Sequence, residues 1–233
     1  MQKEKYYLQS RRIDGRKNKE IRNIKFRLNI IPSCQTSLFF EMGVNKLIVG
    51  IFGPKYKINK EKGKNENDVC IFRTQVFSLK FYENNKNNYQ FLTIINRIIE
   101  ETLLTTLIEN SFYNIIIRKL QNDGNFLNPI LIALSLSFLM SGLPIKTTLG
   151  GCTSGILNFD CYTDLTTHEW FLFNTKTFLV LQSDCENEII LLDNKNCWNT
   201  YFFETSIQHA LNGSVQIQLL KFSLCRYSFL PIL

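Results

Sequence analysis

Only two histidines, His168 and His209, occur in the 233 residues, and neither has a partner at metal-ligand or catalytic-triad spacing. The seven cysteines, at 34, 70, 152, 161, 185, 197 and 225, include no Cys-x-x-Cys pair. No structural zinc is therefore expected, no chemistry is assigned to the histidines, and no cofactor is implied. An odd cysteine count and the lack of a signal-like N-terminus fit a reducing cytoplasm or nucleus, where thiols act as small buried hydrophobes. Long apolar runs are missing as well. The longest, residues 127–140, contains Pro129 and falls short of the ~20 residues a membrane-crossing helix needs, so it reads as a buried helix.

What is present is ordinary for a globular core: 45% of the residues are apolar and 13% aromatic. One α+β domain spanning residues 1–233, with a short N-terminal extension over 1–10, is expected. The net charge of +7 is unevenly placed. Residues 1–64 hold 16 Lys/Arg and 5 Asp/Glu, a balance of +11, and residues 65–233 hold 11 and 15, a balance of −4. Such asymmetry fits a polyanionic partner, because each neutralised phosphate releases condensed counterions; a merely solvated basic surface is the plainer reading of the same numbers.

Three short segments rich in Ile, Phe, Leu and Val, at 23–31, 37–42 and 46–52, read as strands, the last stopped by Gly53-Pro54. Residues 42–45 read as a hairpin connection. The stretch 54–68 is too polar to bury and carries Lys55, Lys57, Lys60, Lys62 and Lys64; 83–88 forms a second exposed polar loop. After a strand at 69–77, apolar residues at helical spacing from Phe91 to Leu107 predict an amphipathic helix over 89–109. A strand at 112–120, a turn at 122–125 and the apolar helix 128–142 follow. Strands are expected at 147–159, 170–182 and 189–192, and a final helix at 199–224, which Gly213 should interrupt.

Four motifs in this order carry a family resemblance. Arg12-Ile13-Asp14-Gly15-Arg16 followed by Glu20-Ile21-Arg22, then Gly53-Pro54, then Leu120-Gln121-Asn122-Asp123-Gly124, then Ser141-Gly142-Leu143-Pro144 resemble RNase PH-like proteins over about two thirds of the chain. The implied fold is α+β of the RNase PH type, similar to ribosomal protein S5 domain 2, with mixed sheets and packed helices. Within the family, residues 70–78 and 120–124 look most like the exosome ring subunit of the ribosomal RNA-processing protein 41 type, the eukaryotic counterpart of the archaeal catalytic subunit.

The resemblance also says where a phosphorolytic site would lie. An active relative has an arginine pair before the long helix, where this chain has Lys86 and Asn87. It has a Ser-Arg or Thr-Arg pair gripping phosphate, where this chain has Phe126 and Leu127. It has two carboxylates six residues apart, where this chain has Asp164 and Trp170, with Asp160 and Glu169 nearby. A degenerate, inactive site is expected. Arg12, Asp14 and Arg16 read as structural, Asp14 accepting turn hydrogen bonds and the arginines pairing with carboxylates or a neighbouring subunit.

For RNA, the resemblance implies a six-membered ring whose pore neck would receive the lysine loop: Lys55, Lys57, Lys60, Lys62 and Lys64, with Lys86 deeper. Tyr89 and Phe91 could stack on bases, although a buried place suits Phe91 better. The implied partners are the other RNase PH-like ring subunits, the RNA-binding cap subunits, a hydrolytic exoribonuclease and RNA itself, in nucleus, nucleolus and cytoplasm. The alternatives are an active phosphate-dependent 3′-5′ exoribonuclease and a stand-alone RNA-binding domain.

Overall fold

The computed structural model describes residues 12–56, 71–78, 85–104, 107, 111–123, 126–157, 159–173, 175–182, 188–196 and 199–229. The chain divides into two compact units and passes between them four times. One holds Met1–Asn23, Asp123–Asn128 and Leu149–Leu233; the other holds Ile24–Asn122 and Pro129–Thr148.

The second of these units is built on five strands: β1 (Ile24–Leu28), β2 (Thr36–Met42), β3 (Asn45–Tyr56), β4 (Ile71–Ser78) and β5 (Ser111–Gln121). They lie in the order β1-β2-β3-β5-β4. All neighbours are antiparallel except β4 and β5, which run parallel because the helix α1 (Asn85–Thr102) crosses over between them. Period-two burial explains the pairing. Leu38, Phe40 and Met42 on β2, Leu47, Val49 and Ile51 on β3 and Tyr113, Ile115 and Ile117 on β5 are all buried, and the register sets Leu38 opposite Val49 and Val49 opposite Ile117. Ile95, Ile98 and Ile99 of α1 add a helical stripe, and the apolar helix α2 (Leu127–Ser141) buries every residue from Ile130 to Leu136.

In this unit the ends of β3 and α1 differ from the sequence expectation. Strand β3 runs past Gly53-Pro54 instead of stopping there. Its register jumps between Phe52 and Lys55, so the proline, which has no N–H to give, sits in a bulge. Helix α1 begins at Asn85, making 85–88 helical where a polar loop was expected. It ends at Thr102, well before 109, because the chain leaves to pair with the segment after α2: Leu104 N donates to Pro144 O at 3.0 Å and Lys146 N to Thr102 O at 2.8 Å.

The other unit carries a four-stranded antiparallel sheet, β7-β6-β8-β9, from β6 (Leu149–Leu157), β7 (Asp160–Thr163), β8 (Thr175–Gln182) and β9 (Ile189–Lys195). Residues 170–172 are helical, not the start of a strand, and belong to α3 (Thr167–Leu172). Its N-terminus is fixed by a capping box in which Thr166 Oγ1 accepts from Glu169 N while Glu169 answers the Thr166 backbone N–H.

The last helix, α4 (Thr200–Phe229), is longer than expected and continuous through Gly213. Gly213 is buried against the sheet: a Cβ there would come within 2.4 Å of Cys152 Sγ and 2.6 Å of Thr163 Cγ2. Gly150 on β6 makes the reciprocal allowance, its absent Cβ clearing Ser214 O by only 2.8 Å. The glycine that looked like an interruption therefore lets the helix approach the sheet. Among the described residues, no helix is long and apolar enough to cross a membrane.

Lys221 is an anomaly in the same helix. It is 1% exposed and donates to the Leu149 carbonyl oxygen. Burial pushes its ammonium down to about 7, partly opposed by Cys225. Because the unfolded chain holds the proton more tightly, stability rises with pH between about 7 and 10.

Two outcomes are expected. Gly213→Ala should destabilise the protein by roughly 1–3 kcal/mol through overpacking, despite a gain of ~1 kcal/mol in helix propensity; thermal unfolding of the variant measures the difference. Lys221→Met should stabilise it by on the order of 2 kcal/mol at pH 7 and abolish the rise in stability toward pH 10, read from denaturant midpoints across that range.

Candidate functional site

The charged N-terminal motif lies in the same compact unit as the segment 163–169, and there the two are locked together. Gly15, at φ 83°, allows a tight turn closed by Gly15 N donating to Arg12 O at 2.9 Å. Asp14 accepts within that turn from the Arg16 backbone N–H at 3.3 Å and from Arg16 Nε at 2.6 Å, as expected for a structural aspartate.

From the turn, Arg12 enters the interior. Its Nε donates to Glu169 Oε1 at 2.7 Å and its Nη2 to Glu169 Oε2, while the remaining N–H groups reach Thr163 O at 2.5 Å and Asp164 O at 2.9 Å. The guanidinium also lies over the Tyr162 ring, 5.9 Å from its centroid. Glu169 thus has two tasks, closing the α3 capping box and neutralising Arg12.

Asp164 is wholly buried and equally occupied. Arg22 grips it by a two-pronged contact, Nε to Oδ2 at 2.9 Å and Nη2 to Oδ1 at 2.7 Å, with the Arg22 backbone N–H adding 2.8 Å to Oδ2. Arg16 Nη1 lies 3.3 Å from the same Oδ2. Burial alone would raise the Asp164 carboxyl, but the charge and hydrogen bonds of Arg22, helped by Arg16, overcome it and hold the pKa below the usual aspartate value. Asp164 also sits at φ 56°, a left-handed conformation that aspartate tolerates better than most residues. Asp123, from the Asp-Gly motif, accepts from Thr167 Oγ1 at 3.1 Å and lies 3.8 Å from Arg22 Nη1. The arginines and carboxylates that invite a catalytic reading are consumed by one another.

The remaining candidate positions are less concentrated. Phe126, in the turn before α2, is 6% exposed, and Leu127 is half-buried as the first residue of that helix. Trp170 is half-buried on α3 and packs on the cluster of Tyr162, Leu165 and Phe173. Asp160 is exposed on β7. Lys55 is exposed near the end of β3. Lys57, Lys60, Lys62 and Lys64 lie outside the described residues, and Lys86, Asn87, Tyr89 and Phe91 are in the first turns of α1, where side chains are not described. His168 is exposed on α3 and His209 half-buried on α4. Among the described residues, no group of three or more His, Cys, Asp or Glu is arranged to hold a metal ion.

The Arg22–Asp164 contact was not visible as a pair in the sequence, since 142 residues separate its members. The Thr166-x-x-Glu169 capping box was visible in principle, because it fits the helix-start pattern.

Asp164 contributes stability only while ionised. That contribution is complete above the ordinary aspartate pKa and is lost as pH falls through its lowered folded-state value. Arg22→Leu should therefore cost on the order of 3–5 kcal/mol at pH 7 by stranding a buried carboxylate. Asp164→Asn should be destabilising at pH 7 but less so at pH 3, which denaturant titrations at the two pH values measure.

Residues 20–144, more than half of the chain, match the model of the 3′ exoribonuclease family, domain 1. Among curated relatives, the exosome complex component ski6 of Schizosaccharomyces pombe is 26% identical over 233 residues, covering 97% of this chain and 95% of its own length. An exosome complex component RRP41 homolog of Arabidopsis thaliana is 27% identical over 161 residues, 66% of each chain. Among solved structures, rice (Oryza sativa) Rrp46 has a TM-score of 0.81 at 17% identity, covering 92% of this chain and all of that one. An Archaeoglobus fulgidus exosome with RNA bound to the active site gives 0.68 at 18% identity, over 89% of this chain and 91% of that one. The fold is the RNase PH fold of α+β class, and the chain belongs to the 3′ exoribonuclease (RNase PH) family.

Proposed function

We propose that this chain is a subunit of an exosome-type ring that guides RNA without cutting it. Ring membership is supported by the relatives named as exosome components, one of which aligns along nearly the whole chain. Several of them carry the name RRP41, and this favours that type of subunit. The likeness to rice Rrp46 is a likeness of fold at 17% identity and does not decide between sister subunits.

The observation that carries the non-catalytic reading is the state of the positions where an active relative would hold phosphate and move protons. Phe126 and Leu127 offer hydrocarbon in place of a hydroxyl and a guanidinium. Asp164 is fully buried with both oxygens held by Arg22, so it has no lone pair facing a substrate. Trp170 replaces the second carboxylate. Phosphorolysis brings two anions together, and one lost preorganised donor alone costs ~3 kcal/mol of transition-state stabilisation. With the grip gone, the fold serves shape and charge.

On this reading the lysines at 55, 57, 60, 62 and 64 give a sequence-blind contact to a passing backbone, and Lys86 a deeper one. The partners are the other ring subunits, RNA-binding cap subunits and a separate hydrolytic exoribonuclease that receives the threaded strand, in nuclear, nucleolar and cytoplasmic pools.

The test is a phosphorolysis assay on the purified chain, alone and with its co-expressed ring partner, using oligo(A) and inorganic phosphate. No nucleoside diphosphate should appear. In the same preparation, replacing the five loop lysines by glutamine should weaken RNA capture at least tenfold at low salt and flatten its salt dependence. Release of nucleoside diphosphate that requires this chain's own residues overturns the reading.

A further inference from the structure

Only one face of the five-stranded sheet is sealed by core residues. On the other face the register aligns a row that crosses every strand. Arg27 of β1 lies opposite Phe39 of β2, Phe39 opposite Ile48 of β3, Ile48 opposite Arg118 of β5, and Arg118 beside Phe77 of β4. Residues so paired point to the same side of the sheet. Arg27, Arg118 and Phe77 are exposed and Phe39 and Ile48 half-buried, whereas Phe40 and Val49, their neighbours in the chain, are fully buried on the core side. Ile116, half-buried opposite Gly50, extends the apolar strip along β5. The loop 29–35 closes one end of it: Cys34 Sγ lies 3.2 Å from where Gly50 would carry a Cβ, and Ser37 Oγ accepts from Ile31 N at 2.8 Å.

The strip is cationic along both sides. Arg27 stands on the β1 side, and Arg118 on the β5 side with Arg73 of β4 beyond it. None of these exposed arginines pairs with an acid among the described residues. The acid on this face, Glu41, sits between Lys25 and Lys46 and reaches Lys46 at 3.8 Å. Neighbouring strands are about 4.8 Å apart, so Arg27 and Arg118, separated by three strand spacings, stand roughly 14 Å from each other. An α-helix with its side chains is about 10–12 Å wide. A helix laid along β2 and β3 therefore fits over Phe39 and Ile48 between two cationic edges.

We propose that this face docks an amphipathic, acidic helix of a partner protein, with apolar residues down on Phe39, Ile48 and Ile116 and carboxylates on both flanks against Arg27, Arg118 and Arg73. Permanent subunit contacts have large, charge-depleted cores, and a strip this narrow between guanidinium groups is not one. The partner therefore binds reversibly and is not a fixed member of a ring. Single-stranded RNA stacks its bases on exposed ring faces, whereas the middle of this strip is aliphatic and the Phe39 ring is half-buried, so a helix suits the floor better. The docking face does not depend on whether the chain guides RNA or cuts it.

The probe is an end-labelled peptide of about 18 residues, five helical turns, with leucine at i, i+3, i+4 and i+7 and glutamate on both sides of that stripe. It is titrated into the nuclease-treated full chain, alone and with its co-expressed ring partner. Label anisotropy reports binding, and N-ethylmaleimide labelling of Cys34, read by mass spectrometry, reports the place. Binding should saturate in both preparations and slow Cys34 labelling about threefold in step. Arg27→Gln with Arg118→Gln should weaken binding about fivefold at low salt and less at high salt. Ile48→Thr, which keeps a strand-favouring shape, should weaken it at both. Lys195→Gln with Arg226→Gln, an equal loss of exposed charge in the other unit, should bind like the parent. Equal binding by the parent and the double arginine variant, or unchanged Cys34 labelling, overturns the proposal. So does polyglutamate binding as tightly as the amphipathic peptide, because the apolar floor then adds nothing. Protection of Cys34 by oligo(U) and not by the peptide assigns the face to RNA, and binding by the lone chain but not by the pair assigns it to a ring neighbour; either result also overturns it.

Discussion

The buried contact between Arg22 and Asp164 is the constraint on which one half of the molecule depends. Asp164 has no exposure, and burying an isolated carboxylate is costly enough that it would take up a proton instead. The two-pronged guanidinium, the Arg22 backbone N–H and Arg16 together keep it ionised. Arg22 thereby ties the segment just before β1 to Asp164. Arg12, ten residues earlier, then meets Glu169, which in turn caps the short helix that carries Trp170 and Phe171. A chain of charge-assisted hydrogen bonds thus runs from the first described residue to the α3 side chains, all within one compact unit.

The same lattice explains why charged residues at family positions do not imply chemistry. A carboxylate becomes a proton carrier when its lone pairs face substrate and its pKa approaches the working pH. Asp164 meets neither condition, being enclosed and held low. Glu169 is likewise occupied on both oxygens.

Much of the fold was legible in the sequence because it rests on periodicity. Leu38, Phe40 and Met42 alternate toward the core, and Ile95, Ile98 and Ile99 repeat at helical spacing, so both elements were found, α1 with both of its ends misplaced. The errors fall where tertiary contacts override local pattern. Gly213 looked like a helix breaker and proved to be a point of close approach between α4 and its sheet. Residues 170–172 looked like strand because Trp and Phe favour one, yet the capping box at Thr166 commits them to helix. Gly53-Pro54 looked like a stop, and a bulge carries β3 past it. The candidate site was legible only through its motifs. The structural role of Arg12 and Asp14 followed from residue chemistry, whereas the partners of Asp164 depend on contacts across well over a hundred residues.

On the proposed reading, Phe126 and Leu127 put hydrocarbon where an active relative clasps its attacking anion. Crystals of the co-purified ring soaked in phosphate, or in tungstate as a heavy analogue, test it most directly. No ordered anion is expected beside Phe126 and Leu127 at concentrations that fill the phosphate site of an active ring. An anion held there by side chains or backbone N–H groups of this chain would contradict it.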